Sequence, residues 1–257
     1  MIDYEPFILV LLVVVLLYIG APLHIRFSQK HHAHPNLESL DFDRIDPSIR
    51  EFFMSRTAEL FDLGFDEPTL VHIPKLTTDI KSYLIMLVNR RSGDKAMVTA
   101  VVAPGRQVLY TEFSTRFENG QVFNTHNVPE LLYRSNLQTV RTQVPQVQDA
   151  NKLYKLHIYI IDKHAAQGRK VLYEPDKALE YLARHAFIET FENYVTRGLM
   201  FYDHRTDCYR PTTKGAFLMT WGLMQPMKAI RYVALRRTAR EIMEEFEQEN
   251  AMRAGGE

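Results

Sequence analysis

The chain has 257 residues, with 31 Lys and Arg against 31 Asp and Glu, and 46% of its residues are hydrophobic. This composition excludes a disordered or collagen-like chain, and the single cysteine excludes a disulfide framework or a cysteine-based zinc site. The formal charge of zero argues against a nucleic-acid-binding protein, because such proteins usually carry an excess of basic residues.

An uncharged apolar run, PFILVLLVVVLLYIGAPL, occupies residues 6–23. As a helix it would extend about 27 Å, close to the roughly 30 Å hydrocarbon core of a bilayer. The alternatives are a cleaved signal peptide and a buried core helix. The residues before the run are acidic and Ile19-Gly20-Ala21-Pro22 is a poor cleavage site, while a buried helix would normally show a polar stripe. The sequence therefore predicts a short N-terminus and a transmembrane helix over residues 1–23.

The charges that flank this run predict its orientation. Arg26 and Lys30 follow the run and no Lys or Arg precedes it. Because basic residues stay preferentially on the cytoplasmic side during insertion, we expect a single-pass protein with its N-terminus outside and its C-terminal part in the cytoplasm. The lone Cys208 and the lack of an Asn-x-Ser/Thr sequence agree with a reducing compartment.

Residues 24–45 lack periodicity and are expected to form a juxtamembrane linker. A domain over residues 46–204 then begins with a helix. Asp46-Pro47 supplies an N-cap and a proline at the first helical position, an apolar face follows at helical spacing, and Gly64 is a stop signal. The pattern predicts a helix over residues 47–63.

The next segment changes to an apolar period of two, which is typical of strands. Five strands are predicted, over Thr69 to Ile73, Ile80 to Arg90, Ala96 to Ala103, Gln107 to Phe117 and Gln121 to His126. Short turn sequences separate them, so we expect a five-stranded antiparallel meander sheet. Residues 83–88 are apolar at every position and predict a central strand covered on both sides.

The last hairpin permits a prediction of register. An Asn119-Gly120 sequence is typical of a two-residue turn, which would pair Phe113 with His126 on the apolar face of the sheet. Helical spacing returns after Pro129, with one helix predicted over residues 149–166 and another from Glu174-Pro175 to Gly198. The predicted fold class is therefore α+β, with an N-terminal transmembrane helix, one helix, the sheet and C-terminal helices.

Residues 205–257 are expected to form a basic amphipathic helical segment with an acidic tail. Between 205 and 240 eight basic residues stand against Asp207. An uncharged stretch over 215–224 contains the only tryptophan of the chain. Tryptophan and basic residues favour the headgroup region of an anionic leaflet, so we expect this segment to contact the bilayer. The residues expected at that interface are Lys214, Trp221, Lys228, Arg231, Arg236 and Arg237.

An alternative is that the apolar side chains of 215–224 pack in the core and the basic residues form a solvated face. Nucleic acid is a less favoured partner, because aromatic and basic residues lie in separate blocks.

The sequence contains few groups of residues that could bind a metal ion or catalyse a reaction. His31, His32 and His34 are metal-ligand types without carboxylate or thiolate partners at fixed spacing, which favours a polar linker and no metal.

Three residues are candidates for catalysis. His204 and Cys208, with Asp203, are the residue types of a thiol nucleophile, its base and an orienting acid, but nearby loop residues rarely point together. His126, at the end of a strand, is a candidate for a pocket or for a satisfied core histidine. No phosphate loop, dinucleotide fingerprint or serine-nucleophile motif occurs, so no cofactor is expected.

The sequence favours a non-enzymatic, membrane-anchored interaction or scaffold module that binds a protein partner of unknown identity. Two alternatives stay open: a membrane-bound hydrolase acting on lipid-like substrates through His126, His204 or Cys208, and a domain that binds a lipid or another small ligand in a cavity between sheet and helices.

Overall fold

A computed structural model describes residues 4–34, 36–77, 80–129, 139–164, 168–171, 174 and 177–254. The fold class is α+β, as predicted. The helices are α1 (Glu5–Ser28), α2 (Pro47–Asp62), α3 (Ala150–Lys163), α4 (Ala178–Leu182), α5 (Glu189–Thr196), α6 (Thr213–Trp221) and α7 (Met227–Ala254). The strands are β1 (His31–His32), β2 (Glu38–Ser39), β3 (Asp66–Thr77), β4 (Ile80–Asn89), β5 (Asp94–Ala103), β6 (Arg106–Arg116), β7 (Val122–His126), β8 (Thr139–Gln143), β9 (Met200–Asp203) and β10 (Cys208–Pro211).

The described residues fall into two compact units. The anchor unit lies within residues 1–34 and 187–233 and contains α1, α5, α6 and a sheet in the order β1-β10-β9. The sheet unit lies within residues 35–130, 136–186 and 234–257. Residues 24–45, expected as a linker, contribute the last turns of α1 and the short strands β1 and β2.

The sheet unit contains a mixed sheet with the order β2-β3-β4-β5-β6-β7-β8 among the described residues. All five predicted strands exist, as β3 to β7, and consecutive ones pair antiparallel. The prediction of a five-stranded antiparallel sheet is nevertheless wrong, because β2 adds to one edge and β8 adds to the other edge parallel to β7. Strands of two and five residues carry too little periodicity to be recognised, and their pairing is set by tertiary contacts.

The predicted register of the last hairpin is wrong by one residue. Glu112 lies opposite His126, and Phe113 lies opposite Thr125. The turn has three residues rather than two, because the Phe117 N–H donates to the Gln121 carbonyl across a loop in which Gly120 has a φ of 86°. A glycine with positive φ at the end of a three-residue loop is typical of this hairpin class. The shift moves His126 to the opposite face of the sheet from the predicted one.

The helix predictions hold closely where residues are described. Asp46 accepts a hydrogen bond from the Ser48 N–H at the start of α2, which is the predicted N-cap. Asp149, which is not among the predicted caps, accepts one from the Lys152 N–H at the start of α3. The proline predicted to start the next helix, Pro175, lies outside the described residues. That helix is described from Ala178, runs through a π-helical stretch, Ala183–Ile188, and ends before Gly198.

One face of the sheet, which we call the first face, packs on helices. Its side chains include Ile85, Val98 and Phe113, and they form one core with apolar residues of α2, α3 and the later part of α7. The opposite side is called the second face. Strand β4 is buried on both, with Leu84 and Ile85 exposed by 6% and 0%, which confirms the prediction of a covered central strand. Burial of this kind is the main favourable term for the unit.

A polar network lies inside the first face. The Asp94 carboxylate accepts hydrogen bonds from Lys170 Nζ at 2.7 Å, from Tyr154 OH at 2.8 Å and from Thr115 Oγ1. Thr115 also contacts His157 Nε2 at 2.9 Å, and His157 Nδ1 contacts Thr125 Oγ1 at 3.0 Å. Because the Thr115 hydroxyl proton goes to Asp94, Nε2 of His157 is the donor to Thr115 and Nδ1 accepts from Thr125.

This network keeps its charges paired in the interior. Burial opposes ionisation of Asp94, but the hydrogen bonds and the charge of Lys170 lower its pKa below the ordinary value. Burial lowers the pKa of His157 to about 4, so the imidazole is neutral at physiological pH. Every member is hydrogen-bonded, which is what makes a buried polar group tolerable and its geometry specific.

We expect the sheet unit to lose stability as pH falls from about 6.5 to about 4. In that window the unfolded chain takes up a proton on His157 and the folded chain does not, so the free energy of unfolding drops by up to about 3 kcal/mol. Burial also lowers the pKa of His126, to about 3, which adds to the same trend. Hydrogen exchange of β6 and β7 amides in the full chain, corrected for intrinsic exchange rates, measures this directly.

His157→Gln should reduce that pH dependence by about half, because one of two titrating groups is removed. The control is His164→Gln, which changes an exposed histidine just after the same helix and should leave the pH dependence unchanged. An equal slope in the wild type and in His157→Gln would show that His157 does not carry the effect.

Candidate membrane-proximal site

The candidate site is built on α1 and α6 of the anchor unit. Among the described residues, α1 is the one helix that is long and apolar enough to cross a membrane, by length and composition. Its 24 residues have a mean hydropathy of 2.7 in the most apolar window, of which 6% is buried. A predicted apolar helix at the N-terminus is thereby confirmed, and it is long enough to cross a hydrocarbon core.

Helix α6 begins and packs for clear local reasons. The Thr212 hydroxyl accepts a hydrogen bond from the Gly215 N–H at 3.0 Å and caps the helix. Gly215 is required because a Cβ atom there would lie 1.8 Å from the Leu199 carbonyl oxygen, a backbone atom. The close approach of the α6 backbone to the residue before β9 fixes the helix within the anchor unit.

Trp221 joins the end of α6 to the transmembrane candidate. Its indole Nε1–H donates to the Tyr18 carbonyl oxygen of α1 at 2.7 Å, and the Tyr18 hydroxyl donates to the Gln225 carbonyl oxygen. Phe217 packs edge-on against the Trp221 ring, with centroids 5.0 Å apart. Trp221 is nevertheless 43% exposed. The ring therefore has one polar end satisfied by α1 and a broad apolar surface left uncovered by described residues.

Six large apolar side chains of α6, the following turn and the first turns of α7 are exposed. We call this group the apolar ridge, and its members are between 43% and 66% exposed. They are Leu218, Trp221, Leu223, Met227, Ile230 and Val233. The alternative that the apolar side chains of 215–224 pack in the core does not describe Leu218, Trp221 and Leu223, although Ala216 and Thr220 of α6 are buried. A group of exposed large apolar side chains is typical of a surface that contacts another molecule or a membrane.

The basic residues expected at the interface lie in three different environments. Lys214 and Lys228 are exposed within the anchor unit, beside the apolar ridge in sequence. Arg231 instead donates from Nη1 to the Gly222 carbonyl at 2.8 Å and so caps the end of α6. Arg236 and Arg237 lie further along α7 in the sheet unit, and Arg237 pairs with Glu241 at 2.7 Å. That pairing joins the basic segment to the acidic tail along one helix.

Cys208 contacts His32, a histidine outside the predicted set of Asp203, His204 and Cys208. Cys208 Sγ lies 3.6 Å from His32 Nδ1, because β1 pairs with β10 and sets these two residues opposite each other. His204 packs edge-on against Tyr202, while Asp203 pairs with Arg210 at 3.0 Å. The structure therefore does not bring Asp203, His204 and Cys208 together as a triad, and sequence distance hid the partner, which is 176 residues away.

The three juxtamembrane histidines are not gathered around one point. His31 packs on the Phe191 ring, with centroids 5.2 Å apart, and burial together with the neighbouring His32 lowers its pKa. His34 is exposed. Within the part of the chain that the structure describes, no group of three or more His, Cys, Asp or Glu residues is arranged to hold a metal ion.

His126 lies on the second face of the sheet unit. It is fully buried, and neither ring nitrogen has a hydrogen-bond partner among the described residues. Glu112 stands opposite it, and Arg141 of β8 shares the same face. Glu112 and Arg141 are not predictable from the sequence pattern, because the Asn119-Gly120 turn favours the other register and the segment after Pro129 has helical spacing. Correct identification of the three-residue turn would have revealed the pairing of Glu112 with His126.

We expect Cys208 to react slowly with iodoacetamide in the native chain, because its residue is only 1% exposed. The matched control is Thr213→Cys in a Cys208→Ser background, which puts a thiol on an exposed position nearby in the same unit. The control thiol should react at least about tenfold faster, and the two rates should converge in denaturant. Equal native rates would show that Cys208 is an accessible nucleophile.

The chain was also compared with protein-family models, with curated proteins and with solved structures, and none of the three comparisons gave a match. Its function is therefore inferred from its own residues and their geometry.

Proposed function

We propose that the protein is a single-pass membrane-anchored module in which α1 spans the bilayer. The apolar ridge lies in the headgroup interface of the cytoplasmic leaflet, near the C-terminal end of α1. The observation that carries the proposal is the hydrogen bond from the Trp221 indole to the Tyr18 carbonyl, which ties the ridge to the transmembrane candidate. Its role is non-enzymatic: it holds the sheet unit at the membrane, where a protein partner binds it.

The level of the contact along α1 agrees with an interfacial position. Tyr18 precedes Leu23, the end of the uncharged run, by five residues, or about 7.5 Å of helix. Interfacial helices bury their apolar side about 5–10 Å below the headgroup boundary. Trp221 and Tyr18 together would then form part of the aromatic belt, with the indole polar group satisfied and its ring in lipid.

The charges favour an anionic cytoplasmic leaflet. Lys214 and Lys228 flank the ridge and are exposed, and Arg26 and Lys30 follow the uncharged run. Each basic residue near such a surface contributes about 1 kcal/mol of attraction. The anchor also keeps the ridge at a high effective concentration next to the bilayer, so a contact too weak to bind a free domain is still occupied.

Quenching of Trp221 fluorescence tests the interfacial position, because Trp221 is the only tryptophan in the chain. In the full chain reconstituted in nanodiscs, lipids brominated near the headgroup end of the acyl chain should quench Trp221 more strongly than lipids brominated near the methyl end. The control is Trp221→Phe combined with Phe61→Trp, which moves the fluorophore to an exposed site on α2 in the sheet unit. We expect that control to show no lipid quenching.

A Trp221 signal insensitive to brominated lipid at both depths would show that the ridge does not contact the bilayer. A separate change, Ile230→Ser with Val233→Ser, should reduce Trp221 quenching by removing exposed apolar surface while leaving the core intact. Thr238→Ser is a control for the substitution itself, at an exposed position further along the same helix.

The orientation is tested separately by protease protection in sealed inverted membrane vesicles, which expose the cytoplasmic side. We expect a protease added outside these vesicles to digest residues 36–254, and to spare them in right-side-out vesicles, since Arg26 and Lys30 follow the uncharged run. Digestion in right-side-out vesicles and protection in inverted ones would reverse the orientation without affecting the interfacial contact.

A further inference from the structure

The second face of the sheet unit contains a buried histidine whose hydrogen-bonding capacity is unused. His126 is 0% exposed, and both Nδ1 and Nε2 lack a partner among the described residues. Most buried side-chain polar atoms in proteins are hydrogen-bonded, and each exception calls for a physical reason. A ligand that bonds to the imidazole is such a reason.

His126 shares the second face with the polar side chains of Glu112, Tyr110 and Arg141. Glu112 lies directly opposite on β6, and Tyr110 lies two residues before Glu112 on the same face. Both are half-buried, whereas Arg141 on β8 is exposed. Side chains directly opposite on antiparallel strands have Cβ atoms about 4.5–5.5 Å apart, and diagonal neighbours are within reach of long side chains. Arg141 lies on β8, which is parallel to β7, and its pairing with Asn124 places it diagonal to His126 on the same face.

The chemistry of these groups favours an oxyanion over a metal ion. Only one carboxylate accompanies His126, and the described residues hold no cluster of three metal-ligand types. A guanidinium repels a cation but binds carboxylate or phosphate oxygens with two parallel N–H groups. The Arg141 guanidinium is exposed and its charge acts on the Glu112 carboxyl and on His126, so it is placed to bind an oxyanion beside the imidazole.

The protonation states agree with this choice. Burial, together with the charge of Arg141, lowers the pKa of His126, so the ring is neutral and offers one N–H and one acceptor nitrogen. Burial raises the pKa of the Glu112 carboxyl, while Arg141 opposes that rise. An anion bound nearby would raise it further, so binding should draw a proton onto Glu112, whose O–H can then donate to the anion.

We propose that His126, Glu112, Tyr110 and Arg141 form a binding site for the carboxylate or phosphate group of a small ligand, with Arg141 at the mouth and His126 at the base. The site lies on the sheet unit and does not depend on the proposed membrane contact. It gives the sheet unit a ligand-binding role beyond that of an anchored scaffold.

The test uses the full chain in detergent with its histidines labelled with ¹³C at the ε1 position. His126→Asn identifies the His126 resonance by its disappearance. The probes are inorganic phosphate, acetate and a short-chain phosphatidic acid, each against sodium chloride at equal ionic strength. We expect the His126 resonance to move saturably with at least one oxyanion at millimolar concentration and not with chloride.

The three probes distinguish the source of the anion. A response to inorganic phosphate indicates a free phosphate or phosphate ester, a response to acetate indicates a carboxylate, and a response to phosphatidic acid alone indicates a lipid headgroup. Each of these outcomes supports the site. A His126 resonance that does not move with any of the three, or that moves equally with chloride, would overturn the proposal.

Variants of the mouth residue separate binding from folding. Arg141→Gln should weaken the response at least about tenfold, and Arg141→Lys, which keeps the charge but loses the paired N–H groups, should weaken it less. Arg106→Gln is the matched control, since it removes an exposed arginine from the start of β6 in the same sheet and should leave the response unchanged. An Arg141→Gln chain with native histidine resonances and an unchanged response would exclude Arg141 from the site.

Discussion

The reversal between β6 and β7 decides what each face of the sheet unit can do. Its loop has three residues and ends at Gly120 in a conformation with positive φ. Because side chains alternate along a strand, one extra residue in the loop exchanges the faces of every side chain on β7 relative to β6. Phe113 and Thr115 thereby share the first face with Phe123 and Thr125, while Glu112 shares the second face with His126.

This sorting creates two buried histidines with opposite character. His157 enters the first face from α3, and both of its nitrogens are hydrogen-bonded between Thr115 and Thr125. His126 is equally buried on the second face, yet its nitrogens are unpartnered among the described residues. Burial makes both imidazoles neutral near pH 7, so charge does not distinguish them. Satisfied polar groups specify a packed core, whereas an unsatisfied one next to a half-buried carboxyl retains capacity for a ligand.

Much of the fold is predictable because it depends on local signals. The cap at Asp46, the helical spacing over 149–166 and the period-two apolar pattern identify two helices and five strands. The short strands β1, β2 and β8 are not predictable in this way, because pairing across the sheet rather than local propensity forms them. The same limit applies to sites. The Cys208 to His32 contact joins residues 176 apart, and the Glu112 to His126 pairing depends on a single residue of turn length, which the Asn119-Gly120 sequence does not determine.

The anchor unit shows how a weak contact becomes well defined. The apolar ridge alone is short, and its exposed residues would give a free domain only marginal affinity for a bilayer. Trp221, however, donates to a carbonyl of α1, and Gly215 locks α6 against the backbone of Leu199. Both contacts lie within the unit that contains the anchor, so the depth of the ridge follows from the depth of α1. In the proposed arrangement, a spanning α1 would fix the level at which Trp221 meets lipid, because the hydrogen bonds from Trp221 to Tyr18 and from Tyr18 to Gln225 connect the ridge to that helix.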